Sequence, residues 1–263
     1  MGYWDMVKRI VMDASVVVEV IDSRFPAKTR IPELENLVAR EGKKLLIVIN
    51  KADMISKREA EREKLGMGTE CVFVSAKKRQ GVTRLRMAIA RLAGGEEAKV
   101  AVVGYPNTGK SSVINMLKGR KAARTSSIAG FTKGKQFVRA GSKLLLIDSP
   151  GIIPIDVKDE TLMVLLSVKN FQHLKDLEGT AMDVADYLLR TQRSEIVAAY
   201  GIDARDGEEL LEKLAFSRKK LVRGGRPDIN AAARILIMDF QEGKIRFAPE
   251  NVGKQAGTAG RPT

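Results

Sequence analysis

The chain has 263 residues, 44% of them hydrophobic, and a formal charge of +14. That is length and apolar content enough for one large domain, or a medium domain with a smaller one, to fold around its own core. One cysteine and one histidine exclude an internal disulfide and leave too few ligands for a common zinc site; no apolar run approaches the ~20 residues that span a bilayer and no signal-peptide core opens the chain, so a cytoplasmic protein without a membrane partner is expected.

In chain order, Asp13 to Ile21 is a β-branched run that reads as a buried parallel strand, stopped by Asp22-Ser-Arg-Phe-Pro26. Pro32 to Arg40 carries Leu34, Leu37 and Val38 at helical spacing behind a proline, and Lys44 to Ile49 is a second apolar strand. Strand, helix, strand predicts a doubly wound sheet, whose ligands collect beyond the carboxyl ends of the strands. Asn50-Lys-Ala-Asp53 stands at such an end. A carboxylate there can accept hydrogen bonds from the N1–H and amino group of guanine, which adenine does not offer, so Asp53 would select guanine. Asn50 would hold the loop and meet the purine N7, and the Lys51 stem would cover a base face.

Ser56 to Leu65 is charged and helix-prone, Cys71 to Val74 reads as a third strand with Cys71 in the core, and Ser75-Ala76-Lys77 would rim the base pocket. Val82, Leu85, Ala88, Ile89 and Leu92 repeat at helical spacing until Gly94-Gly95. Lys99 to Val103 is another apolar run, and it opens into Gly104-Tyr-Pro-Asn107-Thr108-Gly109-Lys110-Ser111-Ser112. This is the GxxxxGK[ST] loop, in which backbone N–H groups cradle phosphates, the lysine reaches the β- and γ-phosphates, and the serine holds Mg²⁺. The helix after it adds positive potential where phosphates lie.

Lys118 to Lys135 shows no periodicity and reads as a functional loop, from which Thr132 would complete the Mg²⁺ shell. Gln136 to Arg139 and Lys143 to Ile147 form a hairpin-like strand pair around Ala140-Gly141, ending in Asp148-Ser-Pro-Gly151. Asp148 would hold the metal through water and the Gly151 amide would approach the γ-phosphate. Beyond this the pattern is mostly helical: Leu162 to Val168 is apolar, and Ala181 to Arg190, Glu209 to Val222 and Ile229 to Gln241 read as helices, with Gly224-Gly225 parting the last two. The small, turn-rich residues at the C-terminus read as a disordered tail.

The charge is lopsided: Lys and Arg exceed Asp and Glu by 13 over residues 1–159 and by 1 over the remainder. No acid stands between Glu97 and Asp148, nor between Lys77 and Arg91. One such run would read as a solvated face; two beside a nucleotide site point to nucleic acid. Arg84, Arg86, Lys118, Arg120 and Lys121, with Arg218, Lys219, Lys220 and Arg223 of the helical end, are the candidate contacts.

Base motif, rim, phosphate loop, magnesium threonine, then Asp-x-Pro-Gly is the motif cycle of small GTPases cut at another point. In Asp22-Ser-Arg-Phe-Pro26, Asn50-Lys-Ala-Asp53, Ser75-Ala-Lys77, Gly104 to Ser112, Gly130-Phe-Thr132 and Asp148-Ser-Pro-Gly151 the chain resembles the circularly permuted GTPases of the YlqF/YawG ribosome-assembly family. The helical end resembles the family more loosely, through Gly225-Arg-Pro-Asp228 and Ala233-Arg234 to Asp239-Phe240-Gln-Glu-Gly-Lys244.

The resemblance implies an α/β fold: a circularly permuted Ras-like P-loop GTPase domain with a doubly wound, mostly parallel sheet over residues 1–156, a smaller all-α domain over 157–247, and a tail over 248–263. It implies GTP and GDP as ligands, Mg²⁺, hydrolysis resting on Lys110, Thr132 and Gly151, and a potassium ion held by Asn107. Turnover would be slow alone and stimulated by potassium and the ribosomal subunit. The implied partner is the large ribosomal subunit or its rRNA, with a monomer off the ribosome. Ile152 and Ile153 follow Gly151 where Ras-like enzymes place a water-orienting glutamine. The N-terminal histidine of bacterial relatives has no counterpart, and His173 is expected to have a surface or packing role. A nucleotide-gated binding module with negligible turnover remains the alternative.

Overall fold

The computed structural model describes residues 3–119, 136–140, 143–148, 160–169 and 171–247. The elements run α1 (Tyr3–Asp13), β1 (Val16–Asp22), α2 (Pro26–Thr29), α3 (Pro32–Arg40), β2 (Lys44–Asn50), α4 (Lys57–Gly66), β3 (Cys71–Phe73), α5 (Val82–Leu92), β4 (Ala98–Val103), α6 (Lys110–Lys118), β5 (Gln136–Arg139) and β6 (Leu144–Asp148). Four helices follow: α7 (Glu160–Leu165), α8 (Leu177–Tyr200), α9 (Gly207–Ser217) and α10 (Ile229–Glu242).

The sheet has strand order β3-β2-β1-β4-β6-β5, with β5 antiparallel to β6 and every other pair parallel. Counted from the phosphate-loop strand β4, that order reads 6-5-4-1-3-2, so the chain enters the sheet at its fourth strand. Alternation along β1 sends Val16, Val18 and Val20 to one face, against Leu85 and Ile89 of α5 and Val113 and Leu117 of α6. Val17 goes to the other, against α1 and α3 through Val7, Ile10, Leu34 and Val38. Strands covered on both faces are predominantly apolar; all seven residues of β1 are buried, and all but Glu19 and Asp22 are apolar.

Helices α7 to α10 build a core of their own around Val184, Leu188, Leu210, Leu214, Leu236 and Phe240. Among the described residues, Phe25 of the sheet domain joins it, with its ring centroid 4.7 Å from that of Phe247.

Several sequence expectations shift. Helix α1 precedes β1, which starts at Val16 and ends at Asp22; Pro26 does not end the strand but opens α2 with its preset φ. Cys71 lies on the edge strand and is half-buried rather than in the core; burial still pushes its thiol pKa up. Helix α8 runs on past Arg190 to Tyr200 through a kink at Gln192, since Ile196 returns to the core. Helix α9 ends at Ser217, not Val222, because Lys219 takes a left-handed φ of 54° and Asp228 N–H donates to the Lys220 carbonyl, which turns residues 220–228 into a hairpin. His173 is exposed.

Candidate nucleotide site

Asp22, Asn50, Val103 and Asp148 end four neighbouring parallel strands, and Asp22 stands in register with Asn50 as Val102 does with Asp148. The chain winds from β1 to β2 on one side and resumes at β4 on the other, so the crevice between β1 and β4 is the topological switch point where such sheets bind ligands.

The phosphate loop leaves β4 at Gly104, whose φ is 144° and where a Cβ would stand 2.3 Å from the Val20 carbonyl oxygen. Gly109 closes the loop at φ 95°, and there a Cβ would come within 2.2 Å of Asn50 Nδ2. Side chains are excluded at both ends, so the backbone can face a ligand. The largely buried Lys110 donates from Nζ to the Tyr105 carbonyl at 2.5 Å, and Thr108 Oγ1 donates to the same carbonyl at 2.9 Å. Ser111 and Ser112 are exposed on the first turn of α6, at the positive end of its dipole.

Asn50 ties the expected base motif to the phosphate loop. Its Nδ2 donates to the Thr108 carbonyl at 2.8 Å, and its Oδ1 accepts from the Ala76 N–H at 3.0 Å. The motif Asn50-Lys-Ala-Asp53, the rim Ser75-Ala76-Lys77 and the phosphate loop are therefore one bonded unit. Asp53 lies in the 3-10 turn Ala52–Met54, half-buried, and Ser75 is buried while Lys77 is exposed. Lys51 is not a free arm: it takes a left-handed φ of 60° and its Nζ pairs with Asp22 Oδ2 at 2.7 Å.

Asp22 is the residue that sequence reasoning left without a role. Burial would raise its carboxyl pKa, but the Arg24 and Lys51 charges outweigh burial and hold it well below the usual carboxylate range. Arg24 is fully buried. Its Nε and Nη2 donate to Asp22 at 3.1 and 2.8 Å, and its Nη1 to the Phe240 carbonyl at 3.0 Å. The available signal was the polar run Asp22-Ser-Arg24 at the end of a predominantly apolar strand.

Of the other expected residues, Asn107 is exposed, at φ 57°, and its Nδ2 donates to the Ser167 carbonyl. Asp148 is the last residue of β6. Thr132, Gly151, Arg120 and Lys121 lie outside the described residues. Arg84 and Arg86 are exposed on α5, and Arg86 donates to the Leu117 carbonyl at the end of α6, where Lys118 is half-buried. Arg218, Lys219, Lys220 and Arg223 are all exposed, at the C-cap of α9 and on the hairpin after it, together with Phe216, Leu221 and Val222. No helix among the described residues is long and apolar enough to cross a membrane.

A family model described as 50S ribosome-binding GTPase matches residues 99–215. It begins on the phosphate-loop strand, so Asn50-Lys-Ala-Asp53 falls ahead of the match, as the rotated motif order requires. An uncharacterized GTP-binding protein of Methanocaldococcus jannaschii is 37% identical over 246 residues, 92% of this chain and 65% of the relative. Nucleolar GTP-binding protein 2 of Yarrowia lipolytica is 30% identical over 97% of this chain and 53% of its own length. This chain thus spans only part of the curated relatives that it matches. The GDP-bound structure of YlqF from T. maritima superposes with a TM-score of 0.67 at 22% identity, covering 93% of this chain and 97% of that one.

Proposed function

We propose that the chain is a circularly permuted GTPase of the YlqF/YawG family, a reading supported by its fold and its GTP-binding relatives, and that it binds GTP and GDP, hydrolyses GTP, and acts in assembly of the large ribosomal subunit by nucleotide-dependent binding to the subunit or its rRNA. The observation that carries the reading is the doubly bonded Asn50, which fixes a guanine-type motif against a phosphate loop at the switch point of the sheet.

The residues fit the ligands. A glycine-walled loop with Lys110 at the head of α6 suits a polyphosphate. Hydroxyl and carboxylate oxygens of Ser111 and Asp148, with Thr132, are the hard donors that Mg²⁺ takes when it also binds phosphate. When bound, the metal would neutralise charge developing on the phosphates. Lys110 would bind the same phosphates, the Gly151 amide would orient the terminal one, and Asp53, with Ser75, Ala76 and Lys77 at the rim, would hold the base. The Asn107 side-chain oxygen, whose amide is already committed to Ser167, is the group that would meet potassium.

The domain division at 156/157 and the cytoplasmic, monomeric state belong to the same proposal. So do the basic contacts on α5, after α6 and on the hairpin, which suit a polyanion.

A nucleotide-gated module with negligible turnover is the competing reading, favoured by Ile152 and Ile153 at the place of a water-orienting side chain. Co-sedimentation with large subunits in the presence of a GTP analogue or GDP, and phosphate release with and without subunits, separate the two. Preferential pelleting with the analogue and subunit-stimulated release are expected. Equal pelleting in both states would overturn the ribosomal role; gated pelleting without release would establish the module.

A further inference from the structure

The nucleotide assignments use neither Asp22 nor Arg24, yet these two are buried and ionic, a costly arrangement to keep for packing alone. Their contacts run in one line. Lys51, inside the guanine motif, pairs with Asp22; Asp22 pairs with Arg24; Arg24 donates to the Phe240 carbonyl of α10 and lies with its guanidinium carbon 4.8 Å from the Phe240 ring centroid. A second line starts at the phosphate side. Asn107 donates to the Ser167 carbonyl, and Ser167 Oγ stands 3.5 Å from Arg24 Nη2. Beside the base motif the main chain joins in, where Phe247 N–H donates to the Met54 carbonyl at 3.3 Å.

Both ends of the nucleotide site therefore meet the helical unit, and Arg24 is the residue common to the ionic line and the Ser167 turn. Lys51 holds a backbone conformation uncommon for a side-chain-bearing residue; its Nζ is held by Asp22, and its carbonyl accepts from Ser23 Oγ at 2.8 Å and from Met54 N–H at 2.9 Å. Both side-chain supports come from the segment that Arg24 ties to α10.

We propose that Arg24 is a positioning residue that makes guanine binding depend on the seating of the helical unit. With α10 seated, Arg24 fixes Asp22, Asp22 fixes Lys51, and the turn carrying Asp53 is set for the base. With α10 displaced, the Lys51 conformation relaxes and the base, not the phosphates, is lost. Linkage makes the effect reciprocal: a bound guanine nucleotide must tighten the seating of α10 by the same factor. This rests on the guanine reading given above.

The test compares GDP with inorganic tripolyphosphate, which has no base, by competition against a fluorescent guanine nucleotide. Arg24→Gln removes the fork, and Phe247→Ala loosens the helical side through a residue of no nucleotide motif, which keeps a readout if the first variant folds poorly. We expect about tenfold weaker GDP binding for Arg24→Gln and a smaller loss for Phe247→Ala, with tripolyphosphate unchanged in both. In the wild type GDP should slow amide exchange in α10; in Arg24→Gln it should not. GDP and tripolyphosphate affinity falling together, or GDP affinity unchanged in both variants, would reduce Arg24 to structural glue. Asp53→Asn run in parallel separates the premises, since a variant with unaltered base preference would sink the guanine assignment rather than the coupling.

Discussion

Asn50 Nδ2 and the Thr108 carbonyl oxygen are 2.8 Å apart, a side chain of the base motif fastened to the backbone of the phosphate loop across 58 positions of sequence. The other half of the amide is taken by Ala76, so no rotation of Asn50 can serve a new partner without releasing an old one. Asn50→Ala would strand the Ala76 donor and the Thr108 acceptor in a largely buried setting, a loss of about 1–3 kcal/mol for each group left unpaired. Thermal unfolding should show that loss, and binding of GDP and of tripolyphosphate should both weaken. Loss of GDP binding alone would show that the two loops are held together by other contacts.

Asp53 should determine the base. An amide in place of its carboxylate donates to the oxygen that replaces the amino group in xanthine, so Asp53→Asn should lose GTP and gain xanthosine triphosphate. Wild-type GTP affinity without gain for the xanthine nucleotide would show that the base lies elsewhere.

Potassium is predicted to act through Asn107. Turnover should fall when sodium replaces potassium, and Asn107→Ala should abolish the difference between the salts. Because Asn107 also donates to Ser167, the variant needs a check of thermal stability at both salts. Equal wild-type rates in the two salts would remove the ion from the mechanism.

Glu19 carries a pH dependence with a sign opposite to that of most carboxylates. It is fully buried in β1, its Oε1 accepts from Ile31 N–H at 2.7 Å, and its Oε2 has no hydrogen-bond partner among the described residues. Burial first, then the nearby Glu35 charge, push its pKa up to about 8 against the opposing pull of the Ile31 bond and Arg30. The folded state thus holds a proton that the unfolded chain releases above its ordinary carboxylate pKa. Stability from this group is full below pH ~4.5 and declines toward pH ~8, by at most about 1.4 kcal/mol per pH unit. Glu19→Gln keeps an acceptor for Ile31 without the charge, so the wild-type decline should vanish in it. Denaturant unfolding between those pH values reads this directly; parallel slopes would show Glu19 ionised in the fold.

Much of the sheet domain was legible because its signals are local. Apolar runs gave β1, β2 and β4, glycine and lysine spacing gave the phosphate loop, and Pro32 with Leu34, Leu37 and Val38 gave α3. Helix α1 was missed, although Val7, Ile10 and Val11 stand at helical spacing. Residues Leu221 and Val222 continued the α9 period and misled, since nothing local shows that Lys219 turns left-handed or that Asp228 bonds back to Lys220. Arg24 marks the limit: its acceptor on Phe240 is 216 positions away, and a contact of that range has no pattern within the chain.

The hairpin after α9 is where the charge should meet its partner. From Phe216 to Arg226 every residue is exposed, and the segment carries Arg218, Lys219, Lys220, Arg223 and Arg226 without an acid. It is nevertheless shaped, with Val222 N–H donating to Arg226 at 2.9 Å and Asp228 N–H to Lys220 at 2.9 Å, so its cations are presented rather than diffuse. Each phosphate that they neutralise contributes a slope of roughly −0.7 to −0.9 to the log of RNA affinity against the log of salt concentration. Gln at positions 218, 219 and 220 should flatten the measured slope by about 2 to 3 if all three engage phosphate. Arg218 also lies 5.7 Å from the Tyr200 ring centroid, and Tyr200 in turn bonds Asp239, so the double replacement Lys219→Gln and Lys220→Gln keeps that packing and should still remove about two thirds of the effect. Exposed Phe216, Leu221 and Val222 add contact that salt does not screen, which predicts residual binding at high salt that a further Leu221→Ser change reduces. GDP affinity should stay at the wild-type value throughout, since no residue of the hairpin belongs to a nucleotide motif. A slope equal to wild type in both variants would leave the contact to the basic residues of α5 and to Lys118, Arg120 and Lys121.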